Sequence, residues 1–256
     1  SRAADDTHSE PAAETPMIAN KILIRGPNWV GDAVLAIPAM KAVRAHFPKS
    51  RITLLVRPWV SGLFTSVPFI HKVWIDPRPA EFADWARITR EIRHGRFDLA
   101  LLLPNSFESA LMMFLGRVPN RVGYATDGRS WMLTNAVTPG EESRHQVRYY
   151  LDLAAAIQAP TEKPSIEIRA TLQERASARK LLKAEGIPDP GPFMVLNPGA
   201  AYGSAKRWHE DRFAVVADTL AREMGFGVAI IGSEGERPIA GQSRRTVKAP
   251  VAVLRG

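Results

Sequence analysis

Two loops in this chain carry the residue types that group-transfer chemistry needs. The first is GPNWVGD, Gly26 to Asp32, which follows the apolar run Lys21-Ile22-Leu23-Ile24-Arg25 and precedes an apolar-periodic helix. The second is NPGAAYGSAKRW, Asn197 to Trp208, which follows Phe193-Met194-Val195-Leu196 and precedes another helix. Strand, glycine-containing loop and helix in succession aim backbone N–H groups and a helix N-terminus at a ligand, usually an anion. The first loop carries an acid, Asp32, and the second a base, Lys206, with Arg207 beside it. Two such units predict two nucleotide-fold halves with different tasks facing a shared cleft.

The glycine spacing of the first loop mimics a P-loop, but Asp32 stands where the lysine belongs and would repel a triphosphate. The dinucleotide pattern G-x-G-x-x-G is also missing. Asp32 is therefore either an N-cap, accepting N–H bonds from the first helical turn, or a general base at the carboxyl edge of the sheet. Trp29 either packs the loop against its domain or walls an acceptor site. After a further strand comes LPNSFESAL, where Asn105 and Ser106 occupy the same kind of edge, as a helix cap or as contacts to a substrate hydroxyl. In the second loop, Gly199 and Gly203 allow close backbone approach. Ser204 offers a hydroxyl and Lys206 a cation, a set that suits a diphosphate, against the alternative of a surface turn. Trp208 is expected to pack. Glu234, after the strand at 227–231, either accepts ribose hydroxyls or caps the next helix.

These residues need a scaffold. Strand candidates at 21–25, 51–56, 72–75 and 98–103 alternate with helix candidates at 32–46, 81–94 and 107–116, the pattern of an α/β fold with a parallel sheet. Residues 121–140 read as irregular structure or short strands, followed by helix 143–158, a linker around Pro160 and Pro164, and helix 171–185. After Pro188, Pro190 and Pro192 the pattern resumes: strand 193–196, helix 210–224, strand 227–231, helix 235–246, strand 250–254. The expected organisation is a disordered extension at 1–16, a Rossmann-like domain with linker at 17–187, and a partial second domain at 188–256. That second half would have an open sheet edge and an uncovered face, so the chain is expected to be shortened.

The 256 residues are 45% hydrophobic, with no apolar run near the roughly 20 that cross a bilayer. Cysteine is absent, which excludes disulfides and thiolate metal sites and fits a reducing cytoplasm. The six histidines are isolated, no metal spacing occurs, and neither a G-x-S-x-G elbow nor a Ser/His/Asp set can be assembled. The formal net charge of +8 is either a solvated basic surface or a sign of phosphate-rich partners, on small substrates or an anionic membrane. No aromatic platform or recognition helix accompanies the arginines, so no nucleic-acid partner is expected.

KILIRGPNWVGD, LPNSFESAL, NPGAAYGSAKRW and the IIGSEGE stretch together resemble the ADP-heptose:lipopolysaccharide heptosyltransferases of glycosyltransferase family 9. The resemblance covers about Met17 to Gly256 and is nearest to members that add the second heptose. It implies a GT-B fold of two Rossmann-like doubly wound domains, the second incomplete here. It also implies inverting transfer of L-glycero-D-manno-heptose from ADP-heptose to Kdo2-lipid A already carrying one heptose. Peripheral work at the cytoplasmic face of the anionic inner membrane, without metal or other cofactor, follows from the same likeness. Matched residue by residue, Asp32 becomes the general base. Lys206, Ser204, Gly203 and Glu234 fall on the donor side, and Asn105, Ser106 and Trp29 on the acceptor side. The family's later motif, close to NDSGxMH, has no counterpart in this chain, which puts full donor binding in question. The alternatives are a family member with another acceptor and a non-catalytic module that binds the lipopolysaccharide core.

Overall fold

A computed structural model describes residues 17–77, 82–140, 145–187, 191–199, 208–232, 247 and 251–255. The chain forms two compact units, one through Arg169 and one from Ala170.

The first unit is built on six strands: β1 (Lys21–Arg25), β2 (Arg51–Val56), β3 (Lys72–Ile75), β4 (Leu99–Leu102), β5 (Asn120–Tyr124) and β6 (Asn135–Val137). All pair in parallel, in the order β3-β2-β1-β4-β5-β6. Among the described residues seven helices follow the first strand up to Ala184, the last of them in the second unit. They are α1 (Val30–Leu35), α2 (Ile37–His46), the single turn α3 (Pro58–Ser61), α4 (Phe82–Gly95), α5 (Phe107–Leu115), α6 (Gln146–Ala155) and α7 (Leu172–Ala184).

Strand periodicity explains the layering, because alternate residues face opposite sides of a sheet. Ile22, Ile24, Ile52, Leu54, Leu99 and Leu101 join the buried faces of α1, α2 and α6 in one core. Leu23, Leu55, Ala100 and Leu102 join Ile88 and Ile92 of α4 and Ala110, Met112 and Met113 of α5 in the other. Burial on both faces is why the central strands read as unbroken apolar runs. The strand order reverses between β1 and β4, and in open α/β sheets the crevice beyond the carboxyl ends at such a reversal is where ligands bind.

The expected helix over 32–46 is two helices, broken at Ala36. Pro38 lacks the N–H that a continuous helix would direct to residue 34, and its ring crowds that carbonyl. Residues 121–140, read as irregular or as short strands, contribute β5 and β6.

In the second unit α7 begins with a capping box. The Thr171 hydroxyl accepts from the Glu174 N–H at 3.2 Å, and the Glu174 carboxylate accepts from the Thr171 N–H at 2.7 Å. Strands β7 (Phe193–Leu196), β8 (Gly227–Gly232) and β9 (Val251–Arg255) pair in parallel in that order, with α8 (Glu210–Met224) between the first two. The units divide at Arg169–Ala170 rather than at the proline-rich break near 188. The reason is packing: Leu182 and Ile187 cluster with Ala229 and Ala252, which draws α7 into the second unit.

Candidate functional site

The loop between β1 and α1 is held from beneath by charge. Arg25, the last residue of β1, is 2% exposed. Its Nη1 donates to the carbonyls of Gly26 at 2.7 Å and Leu55 at 3.2 Å, and its Nη2 donates to Asn28 Oδ1 at 2.8 Å. Arg57 donates through Nε to the same Asn28 oxygen at 3.3 Å, and the Trp59 indole N–H donates to the Asn28 carbonyl at 2.7 Å. Both guanidinium groups lie against the buried carboxylate of Asp76, at 3.4 Å from Arg25 and 3.2 Å from Arg57. Three side chains from two strand ends thus fix Asn28. Charge-assisted hydrogen bonds in a buried setting are the strong ones.

Gly26 is required by the same packing. A Cβ there would meet Val56 Cγ1 at 2.5 Å and Leu54 Cδ1 at 3.2 Å, whereas a Cβ at Gly31 would meet nothing within 4 Å. The loop's first glycine serves close approach to β2, and its second leaves open space.

The N-cap position of α1 is Trp29, with no side-chain cap, and Trp29 is 52% exposed. Asp32 is the third residue of the helix. Its main-chain oxygen accepts from the Ala36 N–H at 2.9 Å. The cap reading of Asp32 is thereby corrected: its carboxylate lies inside the first turn, is half-buried, and receives no hydrogen bond among the described residues.

The loop between β4 and α5 carries Asn105 and Ser106, both exposed. Ser106 is the N-cap of α5, its hydroxyl accepting from the Ser109 N–H at a long 3.4 Å. The turn after β5 grips this loop from the other side. Asp127 Oδ2 accepts from the Phe107 N–H at 2.5 Å. Arg129 is fully buried, and its Nη1 donates to the carbonyls of Pro104 at 2.5 Å and Ser106 at 3.1 Å and to Ser109 Oγ at 3.0 Å. Its Nε donates to the Tyr124 carbonyl at 2.9 Å. Burial pulls the Arg129 guanidinium down to about 10, against smaller upward pulls from Tyr149 and Asp127. A group at that value stays charged at neutral pH, so a desolvated cation is held here mainly by carbonyl oxygens, while its Nη2 has no hydrogen-bond partner among the described residues.

Helix α6 reaches both loops. Asn105 Nδ2 donates to the Tyr149 hydroxyl at 2.6 Å. The Tyr149 ring stacks on Tyr124 with centroids 4.0 Å apart, and the Tyr124 hydroxyl donates to the Tyr149 carbonyl at 2.5 Å. The next residue, Tyr150, is 4% exposed, and its phenol is pushed up to about 12 by burial, with the charge of Asp32 adding to the effect. Asp32 and Asn105, 73 positions apart, are therefore brought to one helix. Reading the sequence missed Arg25, Asn28, Arg129, Tyr149 and Tyr150. Only Asn28, inside the glycine loop, had a local signal.

Gly203, Ser204, Lys206 and Glu234 lie outside the described residues, as does the expected helix at 235–246. Trp208, at the end of that loop, packs edge to face against Phe213 at 5.3 Å. Among the described residues no three His, Asp or Glu side chains come together in a way that could hold a metal ion, and no helix is long and apolar enough to cross a membrane.

The model of glycosyltransferase family 9 (heptosyltransferase) matches residues 85–254. The chain is 32% identical over 237 residues to the lipooligosaccharide heptosyltransferase 2 of Haemophilus ducreyi, covering 88% of this chain and 66% of that protein. It is 29% identical to the lipopolysaccharide heptosyltransferase 2 of Salmonella typhimurium, covering 83% of this chain and 63% of that protein. The chain thus spans just under two thirds of the length of these relatives. The crystal structure of the Escherichia coli ADP-heptose lipopolysaccharide heptosyltransferase II superposes with a TM-score of 0.80 at 24% identity, over 92% of this chain and 72% of that one. That likeness shows the fold: α/β, of the GT-B type with Rossmann-like units.

Proposed function

Because the chain belongs to glycosyltransferase family 9, the heptosyltransferases, we propose that its gene product moves L-glycero-D-manno-heptose from ADP-heptose to Kdo2-lipid A bearing one heptose. The observation that carries this reading is Asp32, whose carboxylate follows β1 beside the strand-order reversal and receives no hydrogen bond among the described residues. A carboxylate so placed is suited to be a general base.

The proposed step is one displacement with inversion. As the acceptor hydroxyl oxygen bonds to the anomeric carbon, Asp32 takes its proton. The bond from that carbon to the diphosphate oxygen breaks, and ADP departs with the electron pair. Lys206 would stabilise the growing negative charge on ADP. Ser204 and the backbone at Gly203 would hold the diphosphate, and Glu234 the nucleoside. Asn105, Ser106 and the half-exposed Trp29 would line the acceptor side. The chemistry asks for no cofactor beyond the donor. Because the acceptor is a membrane lipid, the enzyme would work at the cytoplasmic face of the inner membrane, where a net charge of +8 favours anionic headgroups.

The test is ADP release by the complete gene product from ADP-heptose, with heptosyl-Kdo2-lipid A presented in anionic vesicles. Asp32→Ala is expected to lower kcat by about 10²- to 10⁴-fold, the usual worth of a general base, with an unchanged unfolding midpoint. No turnover with any inner-core acceptor would defeat the reading, and turnover only with Kdo2-lipid A lacking heptose would move the acceptor assignment one sugar inward.

A further inference from the structure

We propose that Tyr149 is a positioning residue that sets the side-chain amide of Asn105 for recognition of an acceptor hydroxyl, an inference resting on the acceptor-side reading of the loop after β4. Asn105 is exposed at that strand's carboxyl end, where its amide would be free to rotate if nothing held it. One hydrogen bond holds it: Nδ2 to the Tyr149 hydroxyl at 2.6 Å. With Nδ2 engaged, Oδ1 takes no partner among the described residues and is left to accept from a sugar hydroxyl. An amide has two ends of opposite hydrogen-bonding sense, so fixing one end decides what the other recognises.

The Tyr149 hydroxyl is in turn pre-set. Its ring lies 4.0 Å from the Tyr124 ring at an interplanar angle of 22°. Its backbone is tied by the Tyr124 hydroxyl at 2.5 Å. The loop that carries Asn105 is anchored separately. Arg129 holds the carbonyls on either side of Asn105, at Pro104 and Ser106. Asp127 holds the Phe107 N–H, and the Thr126 hydroxyl donates to the Asn105 carbonyl at 3.3 Å. The loop backbone therefore does not depend on the phenol oxygen. What that oxygen adds is the orientation of one amide. A binding group held in advance avoids the ordering cost at the moment of recognition.

Tyr149→Phe removes the oxygen and keeps the stack. In the complete gene product it is expected to raise the acceptor KM about tenfold, the effect of one well-placed hydrogen bond, with kcat and the KM for ADP-heptose within about twofold of wild type. Asn105→Ala should raise the acceptor KM by a similar factor. The double variant should be no worse than Asn105→Ala alone, since both changes remove one shared interaction. An unchanged acceptor KM in Tyr149→Phe, or effects that multiply in the double variant, would overturn the proposal.

A second measurement does not depend on turnover. In this chain labelled with ¹⁵N-asparagine, the Asn105 side-chain amide signal, assigned by its loss in Asn105→Ala, should shift in Tyr149→Phe and exchange faster with water. If wild type releases no ADP while this signal responds, the functional reading fails and the positioning stands. If the signal is indifferent to Tyr149→Phe, the positioning fails whatever the enzyme transfers.

Discussion

The two glycines of GPNWVGD do opposite things, and substitution separates them. Gly26 lies where the chain leaves β1 against β2, and its missing Cβ is what lets Val56 pack at that point. Gly26→Ala should cost about 1–3 kcal/mol, because a core that is already filled accommodates a methyl only by moving its neighbours. The same shift would reach Arg25, whose Nη1 donates to the Gly26 carbonyl. Gly31 lies in the first turn of α1 with open space around its Cα. Gly31→Ala should leave stability unchanged or raise it by up to about 1 kcal/mol, since alanine favours the helix. On the proposal that Asp32 is the general base, turnover should nevertheless fall, because the methyl would fill open space one residue before it. Urea unfolding paired with ADP release distinguishes the two. Equal stability losses at both glycines would contradict this division of roles.

At the scale of elements, α6 is the piece whose importance the sequence hid. The strands were legible because central parallel strands are apolar on both faces, and the positions of Asp32, Asn105 and Ser106 just after such strands were legible for the same reason. β5 and β6 were harder, since Asn120, Arg121 and Asn135 interrupt the apolar signal at the sheet's far side. Residues 146–155 were read as a helix, but nothing local says that Tyr149 meets Asn105 or that Tyr150 lies near Asp32. Arg129 looked like any other scattered arginine, because burial of a cation leaves no trace in its own neighbourhood of sequence. Tyr150 gives α6 a measurable signature. Its phenol ionises near 10.0 when exposed and at about 12 in the fold. Between those values the unfolded chain gives up its proton first, so this residue's contribution to stability falls as pH rises through the window. The loss should be about 1 kcal/mol at pH 11, from one unit of difference in proton binding. Tyr150→Phe removes that component. Denaturant unfolding at pH 8 and pH 11 should show a loss about 1 kcal/mol smaller in the variant than in wild type. Identical losses would mean that Tyr150 is not buried in the fold.

The two units differ in how much core the described residues give them. Both cores of the six-stranded sheet are made from residues before Ala170, and even the partly buried Ile168 packs within them. Among the described residues the second unit has three strands and a core around Leu196, Ala214, Ala217, Val228 and Ile230. Phe193 and Val195, on one face of β7, remain 44% and 51% exposed. Burying apolar area contributes roughly 25 cal/mol per Å², and it must offset about 1–2 kcal/mol of backbone entropy for each ordered residue. Among the described residues α7 covers one face of this sheet only at Ala229 and Ala252, which leaves little surplus. Residues 17–169 expressed alone should therefore unfold in one cooperative transition and keep the Asn105 amide signal set by Tyr149. Residues 170–256 alone should show a shallow, low-midpoint transition and bind a hydrophobic dye. Calorimetry on the two fragments decides it. A cooperative second fragment would mean that α7, through Leu182 and Ile187, closes its core more completely than the exposed face of β7 suggests. A first fragment without a transition would mean that the loops after β4 and β5 owe their geometry to residues beyond Arg169, and the pre-set Asn105 would then be a property of the longer chain.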